Sequence, residues 1–315
     1  MALPLDNRQI NNIVSTTLDA KRKETTDLFF KSNVFFVRMY QKGKIKVKGG
    51  EQITVPIVYD KLPGGSYGRG DTFGTAIPEF LTEIRLQWKR NRAEMAMDGL
   101  DQKKNQGAAK LIDLTSVMID NARLSLADRV GTQLFGDGTG NGGKDIDGLK
   151  IAVSDTGTYG GITRESDLQG TAIKATINTT GGPFSKTMVQ TSFGDATRGA
   201  AHPDLILSDQ TIYNKMWERT EPQQRHASDD LAKVGFKNGF QFNGADWQVD
   251  SHVPSGTIYL LNTDYIEFHV LEGGDFVRRG PFDLPTQDAW VDQLLLYANL
   301  VVTAPWSCSR IDNVT

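Results

Sequence analysis

Residues 44–89 read KIKVKGGEQITVPIVYDKLPGGSYGRGDTFGTAIPEFLTEIRLQWK. Ile45 and Val47 alternate with lysines, and Ile53, Val55 and Ile57 alternate with polar residues. The same period of two returns at Ile84, Leu86 and Trp88, with Glu83, Arg85, Gln87 and Lys89 on the other face. Strict alternation of this kind marks half-buried strands. Between the runs, residues 61–80 carry Pro63, Gly64, Gly65, Gly68, Gly70, Gly74 and Pro78. The pattern predicts a long hairpin with an irregular tip, its arms about 30 Å long at ~3.3 Å per residue. A two-stranded ribbon is marginal alone in water. Nothing nearby in sequence supplies a surface for it, so it is expected to lie on a second copy of the chain.

The rest of the chain sets the frame. Its 315 residues suggest roughly two domains. With 38% hydrophobic and 23% charged residues it reads as globular, and 32 glycines favour turns and loops over a helical bundle. Cys308 is the single cysteine, which excludes an intrachain disulfide and a CxxC site. The opening MALPLDNRQI is neither basic nor apolar enough for a signal peptide. No apolar run reaches the ~18 residues of a membrane span. A soluble protein made inside the cell, with no membrane partner, is the expectation.

Charge is uneven. Residues 21–110 hold 18 Lys and Arg against 10 Asp and Glu, net +8, so a whole-chain charge of −3 leaves −11 elsewhere. Opposite patches on one chain favour self-association in a fixed register. Nucleic acid is a weaker reading, because acids are mixed among the bases and the overall charge is negative.

The strongest helix signal runs from Gln106 to Phe135. Leu111, Met118, Ala122, Leu126, Val130 and Leu134 fall mostly four apart, with Asp113, Asp120, Arg123, Asp128 and Arg129 on other faces. About 30 residues would make a brace roughly 45 Å long, ended by the glycines of 136–143. Asn7–Ala20 has weaker helical spacing and reads as part of an N-terminal arm. Ser185 is expected to cap a helix to Ala196, and Asp209 one through Trp217. DLILS (204–208) reads as a buried strand, Asn243-Gly244 as a hairpin turn, and Gln293–Ala304 as a final central strand.

Catalytic patterns are thin. Gly138-x-x-x-x-Gly143-Lys144 matches a phosphate loop until Asp145 replaces Ser/Thr, and a helix precedes it where a strand is required. A nucleotide-binding enzyme using 138–144 is therefore the weaker alternative. Asp137, Asn141 and Asp145 match some calcium-loop positions, but Gly148 stands where the bidentate Glu belongs. The four histidines (His202, His226, His252, His269) are scattered, and Cys308 reads as a packing residue. No catalytic residue, cofactor or metal is expected. Arg69-Gly70-Asp71 at the hairpin tip is better used as ion-pair partners for a neighbouring subunit than as an adhesion sequence.

The run FNGADWQVDSHVPSGTIYLLNTDYIEFHV (242–270), with DGLKIAV (147–153) and TGTYGGITRESD (156–167), resembles the major capsid (coat) proteins of tailed bacteriophages. The resemblance implies an α+β, HK97-like capsid fold, shared with encapsulins. It implies an N-terminal arm (1–40), an extended β-hairpin loop (41–95), a peripheral domain with a long spine helix (96–148 and 281–315) and an axial domain (149–280). It further implies a non-enzymatic subunit that assembles into hexamers and pentamers of an icosahedral phage head around double-stranded DNA. The chain would be found in the virion, assembled in the host cytoplasm. A portal and a separate scaffolding protein are implied partners, a decoration protein is a possible one, and the DNA would be held by weak nonspecific contact. An encapsulin-like compartment is the alternative. Inter-subunit contacts are expected from Lys61, Arg69, Asp71, Arg85, Trp88 and Lys89 on the loop, against Asp113 and Asp120 on a neighbour's helix. Some members crosslink a loop lysine to a neighbour's asparagine. Lys61 stands near that place, but no partner or catalytic carboxylate is recognisable, and no crosslink is expected.

Overall fold

The computed structural model describes residues 33–72, 74, 79–100, 114–165, 168–220, 240–283 and 285–315. In chain order the first elements are helix α1 (Val34–Lys42) and strands β1 (Lys44–Val47), β2 (Gln52–Val58), β3 (Leu81–Gln87) and β4 (Lys89–Asp98). Helix α2 (Leu114–Leu134) and the short turns α3 (Gly140–Gly143) and α4 (Leu149–Ala152) follow, then β5 (Thr158–Tyr159), β6 (Ile162–Thr163), α5 (Leu168–Ala172) and β7 (Thr176–Asn178). The second half contains α6 (Lys186–Asp195), β8 (Leu205–Ser208), α7 (Gln210–Thr220), β9 (Phe240–Phe242), β10 (Ala245–Val249) and β11 (Ile258–Leu261). It ends with β12 (Ile266–Leu271), β13 (Val277–Asp283), β14 (Ala289–Val302) and β15 (Ser309–Ile311).

Strand β14 organises the first sheet. It pairs with β12 and β13 along one side and with β4 along the other, while β1 adds parallel to β12. Its residues alternate in burial from Ala289 to Ala298 and are buried without a break from Ala298 to Val302. The second sheet runs β7-β15-β11-β8-β10-β9. Its central strands are buried on both faces and separate two cores. Leu205, Leu207, Tyr259 and Leu261 face α1, the end of α2 and the first sheet. Ile206, Trp247, Ile258 and Leu260 face α6 and α7.

Local signals account for the caps. Ser185 accepts from the Thr187 N–H, and Asp209 accepts from the Ile212 N–H at 2.9 Å. Asn243 (φ 50°) and Gly244 (φ 83°) form the predicted turn between β9 and β10. On α2, Ala122, Leu126, Val130 and Leu134 form the buried stripe, and its 21 described residues span about 31 Å. Gly148 then passes under the end of α2, where an added Cβ would lie 2.4 Å from the Gln133 carbonyl oxygen.

Long-range pairing changes several expectations. Lys44–Val47 is not an arm of the hairpin; it leaves for β12, so the ribbon is β2 on β3 alone, seven residues a side and about 23 Å. Residues 89–98 belong to the first sheet, not to the loop. The end of the expected arm is a core helix, with Val34, Phe35, Phe36 and Met39 buried. Pairing also crosses the expected boundary at 280/281: β12 joins β14 in the first sheet, and β15 joins β11 and β7 in the second. The helical spacing of 7–20, the start of the expected brace helix, Asp113 and His226 lie outside the described residues.

Candidate assembly surfaces

The ribbon has a covered root and exposed side chains beyond it. At the root, Ile53 (4% exposed), Ile84 (1%) and Leu86 (6%) enter the main core. The covering surface comes from the same chain. The Arg85 N–H donates to the Gly160 carbonyl at 2.9 Å, between β5 and β6. Gly160 (φ 57°) approaches so closely that a Cβ would sit 2.4 Å from Ile84 Cγ2. The expectation that nothing in the chain supports the ribbon therefore fails for its inner half. Further out, among the described residues, Val58 is 68% exposed, Leu62 63%, Tyr67 73% and Leu81 57%.

A polar hub fastens the root. Asn299, fully buried on β14, donates through Nδ2 to the Gln87 carbonyl (2.9 Å) and to Asp147 Oδ2 (2.7 Å). Its Oδ1 accepts from the Asp147 N–H and the Leu300 N–H. Trp88 Nε1 donates to the Gly50 carbonyl at 3.0 Å and closes the neck of the ribbon. Asn299 gave no sign in sequence, since it stands in a run read only as an apolar strand.

The residues expected at subunit contacts scatter. Lys61, Arg69 and Asp71 are exposed at the tip, where the Asp71 carboxylate accepts from the Gly68 N–H. Arg85 forks onto Glu83 of its own strand. Lys89 is drawn into its own chain: Nζ lies 3.3 Å from Asp147 Oδ1, donates to the Gly143 carbonyl at 2.9 Å, and its side chain is 13% exposed. It is a root anchor, not a free cation. Asp120 is exposed on α2 and 3.7 Å from Arg123 one turn on.

Beside α2 the sheet edge opens into a cleft of about 880 Å³, walled by Arg90, Arg92, Arg129 and Lys144 with Asp128 and Asp145. Arg92 pairs with Glu94, whereas Arg90 and Lys144 have no carboxylate partner among the described residues. The excess of positive charge around the cleft comes from β4 and Lys144, since α2 itself contributes one acid, Asp128, and one base, Arg129.

The 138–144 segment is not a phosphate cradle. It follows α2, and three of its N–H groups are used internally: Thr139 donates to Asp137, Gly143 to the Thr139 carbonyl and Lys144 to that of Gly140. Asp137 accepts from Thr139 and from Lys150, and the Thr139 hydroxyl foremost holds its carboxyl down at about 2. Cys308 is fully buried, and burial pushes its thiol up to about 11. Among the described residues no three His, Cys, Asp or Glu side chains gather into a metal set, and no helix is long and apolar enough to cross a membrane.

No protein-family model matches the chain, and no curated protein matches it in sequence. Solved structures match it nearly end to end. A chain of the capsid asymmetric unit of cyanophage A-1(L) is 15% identical with a TM-score of 0.72, covering 93% of this chain and 96% of that one. The capsid of the native GTA particle gives 10% identity, a TM-score of 0.65 and coverage of 95% and 96%. The holo-encapsulin complex of Synechococcus elongatus gives 10%, 0.62, and coverage of 100% and 96%. The likeness is one of fold: the chain has the HK97-like capsid fold.

Proposed function

We propose that the chain is the structural subunit of a closed protein shell, the major capsid protein of a phage head. The reading is supported by the capsid fold. It is carried by one observation: a ribbon pinned at its root by Asn299, Trp88 and Lys89 that exposes Val58, Leu62 and Leu81 beyond it. Burying an exposed apolar side chain contributes roughly 1.5–3 kcal/mol. A ribbon reaching over an adjacent subunit would hide Val58, Leu62, Tyr67 and Leu81 there. Such heterologous contacts close into rings, here hexamers and pentamers, and many modest contacts make the shell avid. Double-stranded DNA would be enclosed with weak nonspecific contact, and a portal and a scaffolding protein would act in assembly in the host cytoplasm. Regions 1–40, 41–95, 96–148 with 281–315, and 149–280 would serve as arm, loop, peripheral and axial parts, with the strand exchanges described above.

Residues 61–80 lie beyond the β2–β3 ladder, so removing them spares the root. The deletion is expected to give a folded subunit that forms no shells by electron microscopy. Normal shells from it would sink the proposal. The encapsulin neighbour motivates a second reading, a compartment for protein cargo. Nuclease-protected DNA inside particles from the native source supports the phage head; protein cargo without DNA supports the compartment.

A further inference from the structure

His252 lies in the turn after β10, its side chain 9% exposed. Its Nδ1 stands 3.0 Å from Asp250 Oδ1, and its Nε2 stands 2.8 Å from Asp128 Oδ1 on α2. A neutral imidazole carries one N–H; only the imidazolium donates to both carboxylates. The two acceptors differ. Asp250 is fully buried and also accepts from the Phe35 N–H in the first turn of α1 (2.9 Å) and from the backbone N–H of His252 (3.0 Å). Asp128 has a side chain 52% exposed and can turn to water. Among the described residues these two carboxylates are the charged groups acting on the ring. Its other polar neighbour is Ser251 Oγ at 3.4 Å. From α1, Asn33 Nδ2 donates to the Ala127 carbonyl and brings no charge, and on α2 the Arg129 guanidinium is directed at the Arg92 carbonyl.

We propose that His252 is a proton-operated latch that fastens the middle of α2 to the turn after β10. When the ring loses a proton to solvent, it keeps the N–H on Nδ1, because buried Asp250 has no water to replace it. The Nε2 lone pair then faces the Asp128 carboxylate, and that contact opens. Helix α1 stays in place, since the Phe35 N–H still meets Asp250. The hydrogen bond to Asp250, opposed by burial and helped by Asp128, holds the ring's pKa above the ordinary histidine value. The latch is therefore closed below that ordinary value, ~6.5, and is released as pH rises through the raised one. It needs only the folded chain and does not depend on the shell reading.

Hydrogen exchange of the full chain, read by mass spectrometry over peptides spanning residues 121–132 and corrected for intrinsic rates, tests this between pH about 6 and about 9. The wild type is expected to lose protection about fivefold in one step, the upper end of what one partly solvent-screened ion pair contributes. His252→Gln is expected to remove the step. Asp128→Asn, a change at an exposed side chain that leaves Asp250 and its partners intact, is expected to flatten the step, because the amide accepts from the imidazolium and donates to the neutral Nε2. A wild type without a step, a step surviving in His252→Gln, or an undiminished step in Asp128→Asn would each overturn the latch.

Discussion

Arg164 shows how much a single side chain can organise. It is fully buried, and all its hydrogen bonds among the described residues go to backbone carbonyls. Its Nη2 donates to the carbonyls of Ile151 (3.0 Å) and Ala152 (2.8 Å), Nη1 to Thr156 and Nε to Ile173. Arg310 donates in the same way to Lys150 and Val153. The helix between them, α4, is a single turn whose Leu149 carbonyl accepts from the Val153 N–H, while the carbonyls after it lie past the last helical donor. Arg164, in the turn after β6, and Arg310, on β15, supply the missing donors, and Tyr159 lies against the Arg164 guanidinium. Burial draws the Arg164 pKa down, but a guanidinium keeps its proton in a protein. Arg164→Met takes the donor from the carbonyls of Ile151, Ala152 and Ile173, and the expected loss is about 3–5 kcal/mol. Arg164→Lys restores one point donor for a fork of five and recovers only part of it. Denaturant unfolding of both variants checks this, and a Met variant as stable as wild type would contradict it. Neither role was legible beforehand, because an arginine in a Gly- and Thr-rich stretch has the composition of a surface turn.

At the scale of elements, the decisive junction is the ribbon against the β5–β6 turn. Gly160 meets Ile84 with no space for a Cβ and has a positive φ that side chains resist. Gly160→Ala is expected to cost about 2–3 kcal/mol and to lift the root off its seat. Limited proteolysis should then cut the ribbon sooner than in wild type; unchanged cleavage would mean that the root is held elsewhere. The contrast with other elements explains what sequence conveys. The helix behind Ser185, the helix behind Asp209 and the turn at Asn243-Gly244 are written within a few residues, so capping and turn chemistry located them. The course of β1 was not written locally. KIKV alternates equally well as a hairpin arm or as a strand beside residues 268–271, and only the β12 edge decides. Among the expected contact residues, exposure at the tip could be read from glycine and proline. The capture of Lys89 by Asp147 could not, since the two are brought together by folding.

For the whole molecule, the uneven charge takes on a different meaning. Part of the basic segment is neutralised inside the subunit. Arg38 pairs with Asp204 and Asp246, Lys42 with Asp264, Lys44 with Asp275, and Lys89 with Asp147. That part of the positive charge before residue 110 thus ties α1, β1 and the ribbon's root to acidic residues in the rest of the chain. Among the described residues, the cations left without an ion pair include Lys61 and Arg69 at the tip, Lys46 and Lys48 on and after β1, and Arg90 and Lys144 around the cleft. The two groups are expected to respond differently to charge reversal. Lys89→Glu sets a second carboxylate against Asp147 in a poorly hydrated site, so it should lower the subunit's thermal stability at any salt concentration. Lys61→Glu with Arg69→Glu should leave the subunit's melting temperature unchanged and slow assembly. Contacts between exposed charges are screened within ~3 Å at 1 M salt, against ~10 Å at 0.1 M, so the defect should shrink as salt rises. Light scattering of assembling subunits beside thermal melts separates the two. A tip variant that assembles normally at low salt, or a Lys89 variant that melts like wild type, would put the partition of charge between fold and contact in the wrong place.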